Sequence, residues 1–141
     1  MKAMQLVQRQ PQIADTISDQ ISGDIQTIET DREGSRLDNP KFKFTVTPQM
    51  VNGVGTISFG VLSEIISDVA QKTMLLNQRR NILIEQMNLH YLRLIQLESE
   101  LDIQPRVLEI GRRSAKLDIE VYIENIIVAK AIVVCQVMER S

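Results

Sequence analysis

Asn52-Gly53-Val54-Gly55-Thr56-Ile57-Ser58-Phe59-Gly60 runs directly into Val61-Leu62-Ser63-Glu64-Ile65-Ile66-Ser67-Asp68-Val69-Ala70-Gln71-Lys72, and the reading of this stretch decides the fold. Gly53, Gly55 and Gly60 suit a turn that feeds a helix N-terminus, because a residue without Cβ accepts backbone angles and close approaches that others refuse. From Val61 onward the pattern is two-sided. Val61, Leu62, Ile65, Ile66, Val69, Ala70 and Thr73 fall on one half of a 3.6-residue wheel, and Ser63, Glu64, Ser67, Asp68, Gln71 and Lys72 fall on the other. The spacing predicts a long amphipathic helix that continues to about Leu76 and needs one apolar surface beneath it.

The flanking segments can supply that surface as an antiparallel sheet. Phe42, Phe44 and Val46 alternate with Lys41, Lys43, Thr45 and Thr47 in a half-buried strand that Pro48 ends. A second strand is expected over Ile82 to Leu94, with Glu85, Gln86, Asn88 and His90 where a core strand would not want them. The third, Leu97 to Val107, carries Pro105, which indicates an edge position or a bulge. Gly111 marks a turn into a fourth strand, Ala115 to Ile123, whose polar face should meet solvent. Glu124-Asn125 reads as a two-residue hairpin turn into a fifth strand, Ile126 to Met138, which is apolar on nearly both faces.

The remaining sequence sets the limits. A chain of 141 residues supports one domain with a real core. Apolar residues at 43% and charged residues at 24% give an ordinary globular balance. A net charge of −2, with basic pairs only at Arg79/Arg80 and Arg112/Arg113, argues against nucleic acid as a partner. No apolar run reaches a spanning length, and Met1 to Gln10 lacks the apolar core of a secretory signal, so a cytoplasmic protein with no membrane association is expected. Cys135 lies in an apolar run and reads as a buried thiol. His90, the one histidine, has no second histidine or cysteine pair to join it, so no metal site is expected. Residues 1–10 look helical up to Pro11, Ile13, Ile17, Ile21, Ile25 and Ile28 recur through a polar tether, and Thr30 to Pro40 reads as loop. The expected organisation is therefore residues 1–39 as an N-terminal helix and linker, and residues 40–141 as the folded domain.

The order strand, long helix, four strands resembles the hotdog fold, an α+β architecture in which an antiparallel sheet of about five strands wraps one long central helix. Asn52 to Gly60 is similar to the Asn-Gly-x-Gly-x-x-His-Gly-Gly signature of phenylacetate-pathway-type acyl-CoA thioesterases. Leu108-Glu109-Ile110-Gly111-Arg112 ahead of an alternating strand is a second likeness, and together they cover about residues 40 to 139. Ser58 stands in the place of the family's histidine, and Phe59 in the place of a glycine. Ser67 occupies the position of the catalytic carboxylate, nine residues beyond Ser58. Glu64 and Asp68 are the nearest carboxylates, each rotated away around the helix.

What the resemblance implies follows residue by residue. The amides near Ser58, Phe59 and Gly60 would polarise a thioester carbonyl, because the first N–H groups of a helix lack intrahelical partners. Asn52 and Gly55 would bind the substrate with them, and His90, Arg112 and Arg113 of a second subunit would meet coenzyme A, its phosphates matching guanidinium. The expected assembly is a homodimer, with a tetramer as the next order. Coenzyme A thioester is ligand or substrate, and no separate cofactor is implied. Met1 to Gln12 also resembles the last helix of a CBS domain, and the remainder resembles the C-terminal hotdog domain of bacterial DRTGG/CBS-domain regulatory proteins. The implied function is a regulatory module that binds acyl-CoA or a similar thioester, with weak or absent hydrolysis. Two alternatives stay open: an active acyl-CoA thioesterase using Glu64 or Asp68 as its catalytic carboxylate, and a structural dimerisation domain.

Overall fold

The computed structural model describes residues 25–33 and 36–138, and side chains at residues 25–27 and 40–138. The helix expected over residues 1–10 and the tether up to residue 24 lie outside the described residues. The amphipathic stretch forms helix α1 (Phe59–Gln78). It starts where Ser58, in an extended conformation, turns its Oγ to accept the Val61 N–H at 3.2 Å, an N-cap that satisfies one orphan donor. It stops at Arg79, whose left-handed φ of 54° lets its N–H reach the Leu75 carbonyl oxygen.

The strands are β1 (Gln26–Glu33), β2 (Arg36–Thr45), β3 (Ile82–Tyr91), β4 (Glu100–Ile110), β5 (Ser114–Ile123) and β6 (Ile126–Val137). They form one antiparallel sheet in the order β1-β2-β4-β5-β6-β3. Its inner face presents Phe42 and Phe44, Leu101 and Ile103, Leu117, Ile119 and Val121, and Ala131 and Val133, all buried. Against them lies the apolar stripe of α1, with Leu62, Ile65, Ile66, Val69 and Ala70 wholly excluded from solvent. This is the hotdog architecture, a curved sheet around one long helix. Each large aliphatic side chain so buried contributes about 1.5–3 kcal/mol, so the stripe is a principal source of stability.

Several boundaries differ from the sequence expectation, each for a physical reason. The stretch expected as tether and loop from Gln26 to Pro40 contains β1 and the first half of β2, paired as a hairpin, so the sheet has six strands and reaches back past Asn39. Its polar residues show no period-2 apolar pattern because β1 is an edge strand, and Ile25 joins the core just before it. The third expected strand begins at Glu100 rather than Leu97. Pro105 follows Ile103, the last β4 residue paired with β2, so its missing N–H costs no hydrogen bond on that side. The polar interruptions in β3 are explained by its place at the opposite edge: Gln86, Asn88 and His90 are exposed, and the register slips between Ile84 and Gln86. Asp118, expected on a solvated face, is 5% exposed, with Oδ2 at 3.3 Å from Arg106 Nη2 across the β4–β5 ladder. Glu124 and Asn125, with φ of 48° and 67°, form the expected tight turn without glycine. Cys135 is a buried thiol as read, its Sγ at 3.5 Å from the Ala115 carbonyl oxygen, and burial pushes its pKa up.

Leu62→Ala should lower the unfolding free energy by about 2–5 kcal/mol. A urea titration checks this, and a loss below about 1 kcal/mol would place Leu62 outside a close-packed interior.

Candidate functional site

The loop before α1 is built on Asn52. Its Oδ1 accepts the Val54 N–H at 3.0 Å, the Thr56 N–H at 3.2 Å and the Thr56 hydroxyl at 3.2 Å. Its backbone N–H reaches the Thr56 carbonyl oxygen at 2.8 Å, and the Gly55 N–H returns to the Asn52 carbonyl oxygen at 3.0 Å. A short polar side chain that bonds the backbone a few residues on is what closes such a turn. Gly55, with φ of 79°, holds the left-handed angle that the closure demands. Gly53 and Gly60 need no such account: a Cβ at either would meet open space, and neither has a positive φ.

Beyond the turn, the chain is sewn to two other segments. Ile57 donates its N–H to the Ile95 carbonyl oxygen at 2.8 Å, and its own carbonyl oxygen accepts the Tyr91 hydroxyl at 2.7 Å. Isolated bridges pair Val51 with Ile57 and Thr56 with Gln96. Ser58 then caps α1. Of the first helical N–H groups, Val61 is taken by Ser58 Oγ and Leu62 by the Ser58 carbonyl oxygen, so Phe59 and Gly60 point theirs outward with no intrahelical acceptor. The positive end of the helix dipole lies here. Phe59 is 57% exposed rather than packed in the core, and its ring lies 6.4 Å from that of Tyr91 at a tilt of 51°. Val54 in the same turn, and Leu92 and Leu94 between Tyr91 and Ile95, are likewise exposed apolar side chains.

The other residues singled out from the sequence lie elsewhere. Glu64 is exposed on α1, and Asp68 pairs with Lys72 one turn on, Oδ2 to Nζ at 2.8 Å. Ser67 lies half-buried between them. His90 is exposed on edge strand β3, opposite Lys130. Arg112 and Arg113 occupy the β4–β5 turn at the far end of the sheet, where the Val137 N–H meets the Arg113 carbonyl oxygen and Arg80 Nε meets the Met138 carbonyl oxygen. That is where α1 ends. At about 1.5 Å per residue the helix holds these arginines roughly 30 Å from its first turn, so one protomer does not bring the two groups together. Arg113 lines a concavity of about 430 Å³ with Gln136, Val137 and Met138. Another, of about 520 Å³, is rimmed by Glu98, Glu100, Asp102 and Glu124, a charge that repels phosphate.

Thr56 and Tyr91 were not legible as site residues. Thr56 is buried through its bonds to Asn52, and Tyr91 owes its role to a contact across the fold. The alternation of β3 was the available signal for Tyr91, since it puts that ring on the inner face with Leu89. Among the described residues, no group of three or more His, Cys, Asp or Glu is placed to hold a metal ion. No helix among them is long and apolar enough to cross a membrane.

Residues 55–130 match the model of the thioesterase superfamily. Over 141 residues the chain is 36% identical to the protein YtoI of Bacillus subtilis (strain 168), and it spans about a third of that protein's length, 31%. The PaaI protein from the phenylacetic acid degradation operon of E. coli superposes with a TM-score of 0.71 at 20% identity, covering 96% of this chain and 99% of its own. Protein smu.793 of Streptococcus mutans UA159, solved bound to acetyl CoA, gives 0.73 at 17% identity, covering 82% and 90%. A hypothetical thioesterase protein of Streptococcus pneumoniae TIGR4, solved with coenzyme A, gives 0.73 at 18%, covering 83% and 88%.

Asn52→Ala removes one acceptor from three donors. It should cost about 1–3 kcal/mol and speed amide exchange at Val54 and Thr56; unchanged exchange at both would mean that the side chain does not hold the turn.

Proposed function

The chain belongs to the thioesterase superfamily, and from that premise we propose that it binds acyl-CoA or a similar acyl thioester, as a regulatory module with weak or absent hydrolysis. The observation that carries the proposal is the outward presentation of the Phe59 and Gly60 N–H groups at the start of α1, in a fold whose neighbours in Streptococcus hold coenzyme A and acetyl CoA. Such donors suit the partial negative charge of a thioester oxygen. The exposed apolar side chains of Val54, Phe59, Leu92 and Leu94 suit an acyl chain.

The site calls for two protomers. Strand β3 is the last of its sheet, and Leu83 on it is 55% exposed, which leaves an edge open to another strand. Antiparallel pairing of two copies along β3 would turn the Tyr91 end of one towards the Ile82 end of the other. Arg112 and Arg113 of one copy would then approach the Ser58 to Gly60 turn of its mate, which no single protomer achieves. Their guanidinium groups are fitted to coenzyme A phosphates, with Asn52 and Gly55 setting the turn and His90 at the seam. A dimer follows, and a tetramer is the next order of assembly.

Weak hydrolysis follows from the helix. Attack on a thioester needs a positioned base or nucleophile, and Ser67 offers a hydroxyl where a carboxylate would be wanted. Asp68 is engaged by Lys72. Glu64 is the better carboxylate for the alternative reading, an active thioesterase, because it is exposed one turn beyond Gly60. A structural dimerisation domain would need only the β3 edge. Because the chain spans about a third of YtoI, a regulatory role beside CBS domains in a longer cytoplasmic protein is part of the same proposal.

Calorimetry with an acetyl- to octanoyl-CoA series should give a micromolar or tighter Kd for at least one member. Combined Arg112→Ala and Arg113→Ala should weaken it about 10–100-fold. Light scattering should show a dimer at micromolar concentration, and a monomer would remove the shared site. Thiol release from the same series should run at least about 10²-fold below ordinary enzyme turnover. Fast turnover that collapses in Glu64→Gln or Asp68→Asn would make the protein an enzyme instead.

A further inference from the structure

Tyr91 ends β3, and its ring reaches across the fold to the loop before α1, where Oη donates to the Ile57 carbonyl oxygen at 2.7 Å. That carbonyl shares a peptide group with the Ser58 nitrogen. The bond is trans, so the Ser58 N–H points away from the phenol. The Ile57 N–H is itself fixed on the Ile95 carbonyl oxygen at 2.8 Å, so both backbone polar groups of Ile57 are committed. Ser58 then caps the helix with Oγ and its carbonyl oxygen. The direction of the free amides at Phe59 and Gly60 is therefore inherited from a peptide plane that Tyr91 clamps.

We propose that Tyr91 is a positioning residue for the thioester carbonyl: by holding the Ile57–Ser58 peptide group, its hydroxyl aims the amides of Ser58, Phe59 and Gly60 at one oxygen and strengthens the Ser58 N–H as a donor. Hydrogen bonds in series polarise one another, so a carbonyl that accepts from a phenol leaves its own amide the better donor. Tyr91 suits the task twice over. Its ring also backs the exposed Phe59, fixing the side chain nearest the amides. Burial raises its pKa above the ordinary tyrosine value, so the hydroxyl keeps its proton throughout the neutral range. This role rests on the acyl-thioester reading given above.

Tyr91→Phe removes the hydroxyl and keeps the ring. The dimeric protein, wild type and variant, is titrated with the tightest member of the acetyl- to octanoyl-CoA series and with free coenzyme A, which has no thioester carbonyl. The variant should lose about three- to ten-fold in affinity for the acyl-CoA and keep its affinity for free coenzyme A. The ¹³C resonance of the bound thioester carbonyl should also move towards its position in water. In wild-type protein, independently of how well the variant folds, the Ser58 amide proton should shift downfield with acyl-CoA and not with coenzyme A. Equal losses for both ligands, an unmoved carbonyl resonance or a Ser58 amide indifferent to the acyl group would each overturn the role of Tyr91 and leave acyl-CoA binding intact. Wild-type protein that binds neither ligand would overturn both.

Discussion

Burial of one stripe of α1 against one face of one sheet is the constraint on which everything else depends. Leu62, Ile65, Ile66 and Val69 have no access to water, and the inner positions of β2, β4, β5 and β6 are what they bury against. Because the helix runs along the sheet, its first turn is carried to the Tyr91 end of β3 and its last turn to the Ile82 end. The caps at Ser58 and Arg79 fix where those ends fall. The placement of the outward amides is thus a consequence of core packing, and the loop chemistry of Asn52 refines an arrangement that the hydrophobic stripe has already imposed.

The elements with a strong period were legible. Val61 to Thr73 shows 3.6-residue spacing and Ala115 to Ile123 shows alternation, and both read directly as the helix and β5. The signature from Asn52 to Gly60 marked the right turn, although of its glycines Gly55 alone holds a left-handed angle. Where the sequence misled, a distant neighbour decides the outcome. Strand β1 carries no apolar alternation because an edge strand has little to bury, and its state depends on pairing with β2. Asp118 alternates as a solvated residue would, yet neighbouring strands cover it. Tyr91 reads as one more apolar member of β3, and nothing local to it announces a bond to Ile57.

The same division applies to the site. The turn at the start of α1 could be read because it is local: Asn52, Gly55 and Ser58 each act on residues within a few positions. Arg112 and Arg113, which are proposed to meet coenzyme A, could be read only as residue types suited to phosphate, because their placement depends on the whole length of the sheet. Glu64 and Asp68 show the limit of spacing arguments. Their distance from Ser58 along the chain says how far round the helix they are turned, but the ion pair with Lys72 is what occupies Asp68.

The topology also sets an order of assembly in time. β5 and β6 meet through the two-residue turn at Glu124 and Asn125, a contact so local that the hairpin can close on a microsecond scale, within about 1–10 μs. β3 comes earlier in the chain and pairs with its last strand: Ile82 meets Val137, with β4 and β5 lying between the two in sequence. Closing a loop of that size adds entropic cost, and such non-local pairings slow folding. Pairing of β3 with β6, like that of β2 with β4, therefore follows the local hairpin, and until β3 docks the flank of β6 is an exposed ladder open to any extended chain nearby.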